Sequence, residues 1–320
     1  MSPTRAKAPA SMKAARCSQP GSADPFPILP VCCYAFRKSC SGRTSMQVNR
    51  LSENQLAAEV VDANLAGSGW ETTVSDTFSR HPVLCLRNQP VTPDIYVGAM
   101  SKLGQPKPQL HEQYRHPTRN EIMILSSDQV DSKGDGKKIV IGKAWHTDDS
   151  YTAEPSAVTI LQAEILPQTG GDTEFADMRA AYEALPAARK QQIDGLTAEH
   201  RYFSRRNLGK VASRTPEEEA LTPPVFHPLV RTHPVTGQKA LYINPNRVHQ
   251  ICDLPLEEGD ALLDDLIDHA TQPQFTYRHR WQAGDILMWD NRCTMHRANH
   301  DYGDQPRRMN RILLAGDRPV

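Results

Sequence analysis

A chain of 320 residues, 38% of them apolar and with mean hydropathy −0.57, is long enough for one large domain or two small ones. It has no apolar run near the roughly 18 residues of a membrane-spanning helix; even residues 28–36 stop at nine and are broken by Pro30. Lysine plus arginine and aspartate plus glutamate both number 37, so no global basic field favours nucleic acid as a partner.

That balance hides an asymmetry. Residues 1–50 carry eight basic side chains against the single acid Asp24, together with six prolines and the cysteines Cys17, Cys32, Cys33 and Cys40. The remainder, 51–320, has 29 basic against 36 acidic residues and reads as the folded domain. The head reads as an extension that does not pack: a transit peptide, a plain disordered tail, or sequence upstream of a start at Met46. Cys85, Cys252 and Cys293 are widely spaced without a CxxC, which fits a reducing compartment and a cytoplasmic location, or a mitochondrial one if the head is a transit peptide.

Along the domain, residues 56–66 and 93–103 read as short helices flanking a buried strand at 83–86. A polar loop at 128–138 precedes a strand at 139–141, and a further strand falls at 157–161. Gly170-Gly171-Asp172 is a turn before a strand at 173–175. A helix at 178–185 extends through 188–193, and another covers 256–270. Residues 225–232 and 239–243 around His233-Pro234-Val235-Thr236-Gly237 form a hairpin, and strands at 274–281, 285–289 and 311–315 close the chain. Strands without regular intervening helices predict a mainly β fold with flanking helices, a sandwich or jelly roll.

Chemistry concentrates in two segments. In Trp145-His146-Thr147-Asp148-Asp149, alternation along an extended backbone lets His146 and Asp148 reach one point. An imidazole and a carboxylate suit a divalent first-row metal, and His296, 150 residues on, completes a two-histidine, one-carboxylate face of the kind that binds Fe(II). Any one HxD is expected by chance among twelve histidines; the second segment is what raises its weight. Arg307 and Arg311 lie four apart on a strand, hence on one face, and a guanidinium there anchors an acid. Alone they would read as a solvated cationic edge. Trp145, Trp281 and Trp289 read as core, Cys293 as a small buried residue, and His81, His116, His227 and His233, each before proline, as turn punctuation.

The runs WHTDDSY, GGDTEFADMRAAYEALP, HPLVRTHPVTGQKALYIN, YRHRWQAGDILMWDNRCTMHRANHDY and RRMNR resemble the taurine and 2,4-dichlorophenoxyacetate dioxygenases that depend on Fe(II) and 2-oxoglutarate. The likeness spans residue 80 to the end, and EFADMRAAYEALP, YRHRW and MWDNRC lean toward the aryloxyalkanoate branch. It implies a cupin-like double-stranded β-helix, with His146, Asp148 and His296 as iron ligands and ascorbate as an activator. It further implies that Thr173 and Arg307 hold the C5 carboxylate of 2-oxoglutarate and that Arg311 faces the acid of the prime substrate. His111 and Tyr114 fall where relatives place substrate contacts. The implied reaction consumes O2 and 2-oxoglutarate, yields succinate and CO2, and hydroxylates a small organic acid, here an aryloxyalkanoate released as phenol plus glyoxylate or pyruvate. The runner-up is a taurine or alkylsulfonate dioxygenase releasing sulfite; a hydrolytic zinc enzyme and a non-catalytic cupin-like binding protein rank below both. Neither nucleic acid nor membrane is expected as a partner, and assembly as a homo-oligomer stays open.

Overall fold

The computed structural model describes residues 46–207 and 211–320. Most of the basic head, residues 1–45, lies outside them. In chain order β1 (Gln47–Arg50) and β2 (Ala57–Val61) precede α1 (Glu71–Arg80), β3 (Val83–Leu86) and α2 (Pro93–Met100), then β4 (Arg115–His116), β5 (Arg119–Ser126) and β6 (Val158–Ile165). Next come β7 (Thr173–Asp177), α3 (Met178–Glu183), α4 (Ala187–Ile193), β8 (Thr197–His200), α5 (Pro216–Ala220), β9 (Val225–Pro228), β10 (Val230–Thr232), β11 (Lys239–Leu241) and β12 (Val248–Ile251). Finally α6 (Leu256–Ala270) leads to β13 (Thr276–His279), β14 (Ile286–Asp290), β15 (Thr294–Ala298) and β16 (Arg308–Leu314).

The architecture is mainly β. An eight-stranded sheet runs β1-β2-β3-β14-β6-β16-β5-β4, antiparallel except where β2 meets β3, and a three-stranded sheet runs β13-β7-β15. Alternation gives the large sheet two apolar faces. On one, Leu84, Leu86, Ile160, Met288 and Ile312 pack under α1 and α2 against Trp70, Val74, Tyr96 and Met100. On the other, Cys85, Leu161, Leu287 and Trp289 meet Phe175 of β7. Phe175 is fully buried there, which contributes about 1.5–3 kcal/mol. Both ends of the chain's chemistry, β6 and β7 on one side and β14 to β16 on the other, are thereby interleaved between two facing sheets.

A second core joins α3 and α6 to β11, β12 and β15, with Leu262, Leu263 and Leu266 on the buried stripe of α6. That helix and the buried strand at 83–86 match their expected positions, while the expected hairpin is confined to β10 and β11, because Val225–Pro228 separates as β9 and pairs with β8.

Four expectations need correction. Residues 57–61 are a strand, not part of a helix: Ala57, Ala58 and Val60 are wholly buried between β1 and β3, and that pairing overrides local helix propensity. The helix at 178–193 is two, because Pro186 caps α4 and cannot continue α3. Residues 139–141 form no strand; their carbonyls and amides bond instead to Gln129 and His300. The sheet starts inside the interval given to the head, since Gln47–Arg50 pairs along its whole length with β2.

Candidate active site

Two reciprocal backbone hydrogen bonds set the site. His146 N donates to His296 O at 3.0 Å and His296 N to His146 O at 2.8 Å, an antiparallel bridge on the free side of β15. Residues paired in this way project to one face, so the two imidazole rings lie 4.1 Å apart between centroids. The chain then turns sharply at Asp149, whose left-handed φ of +56° is the conformation aspartate tolerates best after glycine and asparagine. The turn holds because the Asp149 carboxylate accepts from Ser156 Oγ (2.6 Å), Tyr151 Oη (3.3 Å) and Lys107 Nζ (3.3 Å).

One ligand-type atom from each of His146, Asp148 and His296 falls within 4.8 Å of the other two. His146 Nδ1 is 2.8 Å from Ala144 O; a carbonyl can only accept, so Nδ1 carries the proton and Nε2 keeps its lone pair. Burial lowers the pKa of both imidazoles and keeps them neutral. Burial works the other way on Asp148, but the Arg311 guanidinium beside it and the Thr159 hydroxyl hold its carboxyl well below the usual range. Its Oδ2 also accepts from Thr159 Oγ1 at 2.6 Å. Two neutral imidazoles and one carboxylate with an open side are a fit for a divalent first-row metal.

The loop carrying Asp148 is fastened from behind. Asn244 Nδ2 donates to Thr147 O (2.8 Å) and to Ser150 Oγ (2.9 Å), and Thr147 Oγ1 donates to Asn291 O (2.9 Å). Asn291 and Asn244 carry no metal-binding chemistry, so nothing in their residue type announces this role.

Two cavities meet at the triad and share His146, Asp148 and Arg311, with the segment 140–142 as a common wall. The larger, about 250 Å³, holds Thr173 and Arg307. Arg307 is buried, and among the described residues no carboxylate lies within salt-bridge distance of it; its Nε has no partner. Trp281 Nε1 donates to Thr173 Oγ1 at 3.1 Å, which commits an oxygen lone pair and leaves the hydroxyl proton free to donate. Trp281 thus does more than fill the core. Gly171, at φ +74°, lies where a Cβ would stand 3.2 Å from Arg307 Nε, so the Gly-Gly turn makes room for that guanidinium. A buried guanidinium with no carboxylate among the described residues within salt-bridge distance, beside a free hydroxyl proton, suits a carboxylate.

The smaller cavity, about 120 Å³, is lined by the candidates His111 and Tyr114 and by Tyr151, Tyr202 and Arg247, which sequence reasoning did not single out. Burial, with Arg214 and Arg311 nearby, pushes His111 down to about 4. Arg311 also lines both cavities, but its Nη1 donates to Asp148 Oδ1 at 3.2 Å. His227 is not turn punctuation: it is buried within β9 and donates to Thr152 O, whereas His233 does open the β10–β11 turn, its Nδ1 accepting from Val235 N and Thr236 N while Nε2 bonds Asp290 at 3.0 Å. Cys293 is buried, and burial raises its thiol pKa.

Residues 49–313 match the family described as Taurine catabolism dioxygenase TauD, TfdA family. The chain is 37% identical over 255 residues to the alpha-ketoglutarate-dependent 2,4-dichlorophenoxyacetate dioxygenase of Burkholderia sp. (strain RASC), spanning 77% of this chain and 85% of that one. It is 38% identical over 269 residues to the (S)-phenoxypropionate/alpha-ketoglutarate-dioxygenase of Sphingobium herbicidovorans, spanning 80% and 89%. The crystal structure of AAD-2 in complex with Mn(II) and N-oxalylglycine superposes with a TM-score of 0.71 at 33% identity, covering 86% of this chain and 99% of that one.

Proposed function

The chain belongs to the TauD/TfdA family of 2-oxoglutarate-dependent dioxygenases, and on that premise we propose that it oxidises an aryloxyalkanoic acid, releasing a phenol and glyoxylate or pyruvate. His146, Asp148 and His296 hold Fe(II), and Thr173 with Arg307 binds the C5 carboxylate of 2-oxoglutarate. In this reading the two facing sheets are a double-stranded β-helix, and the basic residues before Gln47 are an extension to the dioxygenase domain.

The observation that carries the cosubstrate assignment is Arg307, a buried cation without an acid, beside a hydroxyl whose proton is free. A dicarboxylate supplies the missing anion; water, as the nucleophile of a hydrolase, does not. The bound metal supplies O2 activation coupled to oxidative decarboxylation of 2-oxoglutarate. The protein's share is to orient the substrate and exclude water. His146 and His296 are held by their backbone bridge, and Asp148 by Thr159 and Arg311. Hydroxylation of the carbon next to the ether oxygen gives a hemiacetal, which collapses to phenol and an oxo acid. The 37–38% identity to dioxygenases named for 2,4-dichlorophenoxyacetate and phenoxypropionate supports this substrate class.

The test is incubation of Fe(II)-loaded enzyme with 2-oxoglutarate, ascorbate and a panel of phenoxyacetate, phenoxypropionate, taurine and an alkylsulfonate, scoring phenol against sulfite. Phenol with stoichiometric succinate is the expected result. Sulfite from the sulfonates with no phenol from any aryloxy acid would overturn the substrate class and leave the reaction class standing. Among the described residues no helix is long and apolar enough to cross a membrane.

A further inference from the structure

Where β16 ends, the chain runs on as segment 315–320 and is held between two others. Lys107 N donates to Leu313 O at 2.8 Å and Ala315 N to Gln105 O at 2.8 Å; on the opposite side Ala157 N donates to Leu314 O at 3.0 Å. Gly316 makes the closest approach. A Cβ there would stand 2.6 Å from Ala157 N and nearer still to Pro155 O, both backbone atoms, so only glycine lets the two chains lie this close. Residues 155–157 close the turn that begins at Asp149, whose carboxylate accepts from Ser156 Oγ at 2.6 Å and Lys107 Nζ at 3.3 Å.

One residue further, Asp317 Oδ2 accepts from Arg231 Nη2 at 2.7 Å. Arg231 is 1% exposed, and among the described residues Asp317 is the only carboxylate within 4.0 Å of it. A guanidinium so buried is costly without an acid, and segment 315–320 supplies that acid. Inward from Arg231 the packing is continuous. Its guanidinium carbon sits 5.2 Å from the Tyr242 ring centroid, that ring meets His227 edge-on at 5.8 Å, and His227 Nε2 donates to Thr152 O at 3.0 Å, inside the same turn. Next to Arg231, Thr232 N donates to Val320 O at 2.7 Å. The segment thus reaches residues 149–157 twice, once backbone against backbone and once through a buried ion pair.

We propose that residues 315–320 are a strap on the turn 149–157, with Gly316 seated against it and Asp317 fastened to Arg231, and that Asp317 and Arg231 are thereby positioning residues for Asp148, which immediately precedes the turn. The second half rests on the reading of His146, Asp148 and His296 as a metal triad; the strap itself does not. Local opening of a segment is set by the contacts it must break, so loosening the strap raises the open population of 149–157 without unfolding the protein. An ion held in part by Asp148 then escapes faster, because its ligand is carried on the part that opens.

The experiment is amide hydrogen exchange of the metal-free full chain, read by mass spectrometry on peptides covering 149–157 and on α6 as a remote reference. Asp317→Asn keeps the shape and removes the charge; exchange in 149–157 should quicken roughly 10- to 100-fold, the range for losing a hydrogen bond to a charged group, with α6 unchanged. Asp317→Glu should restore much of the wild-type rate. Gly316→Ala should quicken exchange too, since its Cβ forces the backbone at 155–157 aside. Wild-type exchange in 149–157 for either Asp317→Asn or Gly316→Ala, or an equal rise in α6, overturns the strap. Should Asp317→Asn not fold, Arg231→Met/Asp317→Asn carries the test by removing the stranded cation with its acid, and wild-type exchange there overturns the strap equally. The second readout is release of Mn(II) from the loaded protein into excess chelator, followed by electron paramagnetic resonance, which Asp317→Asn should speed by a similar factor. Faster exchange with unchanged Mn(II) release would overturn the positioning of Asp148 and leave the strap standing. A wild type that binds no Mn(II) would sink the triad, and the exchange result alone then decides the strap.

Discussion

Arg311 Nη1 donates to Asp148 Oδ1 at 3.2 Å, while Asp148 Oδ2 faces His296 Nε2 at 3.7 Å. One carboxylate thus divides its oxygens between a permanent cation and the side the proposed metal would occupy. Its charge is balanced before any ion arrives.

Removing Asp148 therefore does two things where removing a histidine does one. His146→Ala, Asp148→Ala and His296→Ala should each abolish metal binding and succinate formation. Asp148→Ala alone should also destabilise the metal-free protein, by about 1–3 kcal/mol, because it leaves a largely but not fully buried guanidinium without its acid. Adding Arg311→Met should recover part of that loss. Urea unfolding of the metal-free variants measures it; equal stability of the Asp148 and His296 variants would contradict the pairing.

Arg307 invites the opposite outcome. Its replacement by Met should raise the KM for 2-oxoglutarate roughly 10- to 100-fold. The same variant should melt at an equal or higher temperature than wild type without cosubstrate, since a buried cation with no acid is traded for an apolar side chain. A thermal scan with and without 2-oxoglutarate reads both effects, and a lower melting temperature in its absence would show that Arg307 has a structural partner.

Trp281 acts through Thr173. Trp281→Phe keeps the ring and deletes the N–H that fixes the hydroxyl, so the KM for 2-oxoglutarate should rise by a factor of about 2 to 10 with kcat unchanged. A fall in kcat with unchanged KM would mean that the ring, and not the hydrogen bond, matters.

Asp290 makes the acid limb of stability testable. It accepts from Arg292 Nη2 (2.6 Å), Arg292 Nε (2.9 Å) and His233 Nε2 (3.0 Å). Burial would raise its carboxyl pKa, but these partners hold it well below the usual range. A depressed carboxyl stabilises the fold above its unfolded pKa, near 4, and that contribution is lost as pH falls further. Asp290→Asn should cost about 3–5 kcal/mol at pH 7 and show a shallower loss of stability below pH 4 than wild type. Parallel acid limbs for the two proteins would refute the assignment.

Site chemistry was legible in the sequence wherever residue type and chemistry coincide. His146, Asp148 and His296 are candidate ligands by residue type, and Thr173 and Arg307 follow from the resemblance; the fold brings all five to the larger cavity. Residues that act by holding others left no such signal. Asn244 and Asn291 fasten the Asp148 loop, and Trp281 orients a hydroxyl, through contacts 97 to 144 residues apart in the chain. Arg247 follows Asn-Pro-Asn in what reads as a turn, and only the fold brings it beside Tyr151. Among the elements, α6 with its full apolar stripe was plain, whereas β2 was mistaken because its alanines favour helix and its burial between β1 and β3 is a long-range fact.

The bridge between His146 and His296 also orders events in time. Synthesis exposes the first histidine and the aspartate long before the second histidine exists: β14 and β16 must insert between older strands of the large sheet, and β15 must add to β7 in the facing one. Such non-local pairing is slow relative to local helices. With the proposed triad, a ribosome-bound chain ending before β15 offers an ion only two of the three side chains, so premature capture of a wrong metal by the nascent protein should be weak. Strong coordination arrives together with closure of the last strands, and ion uptake then reports that assembly is finished.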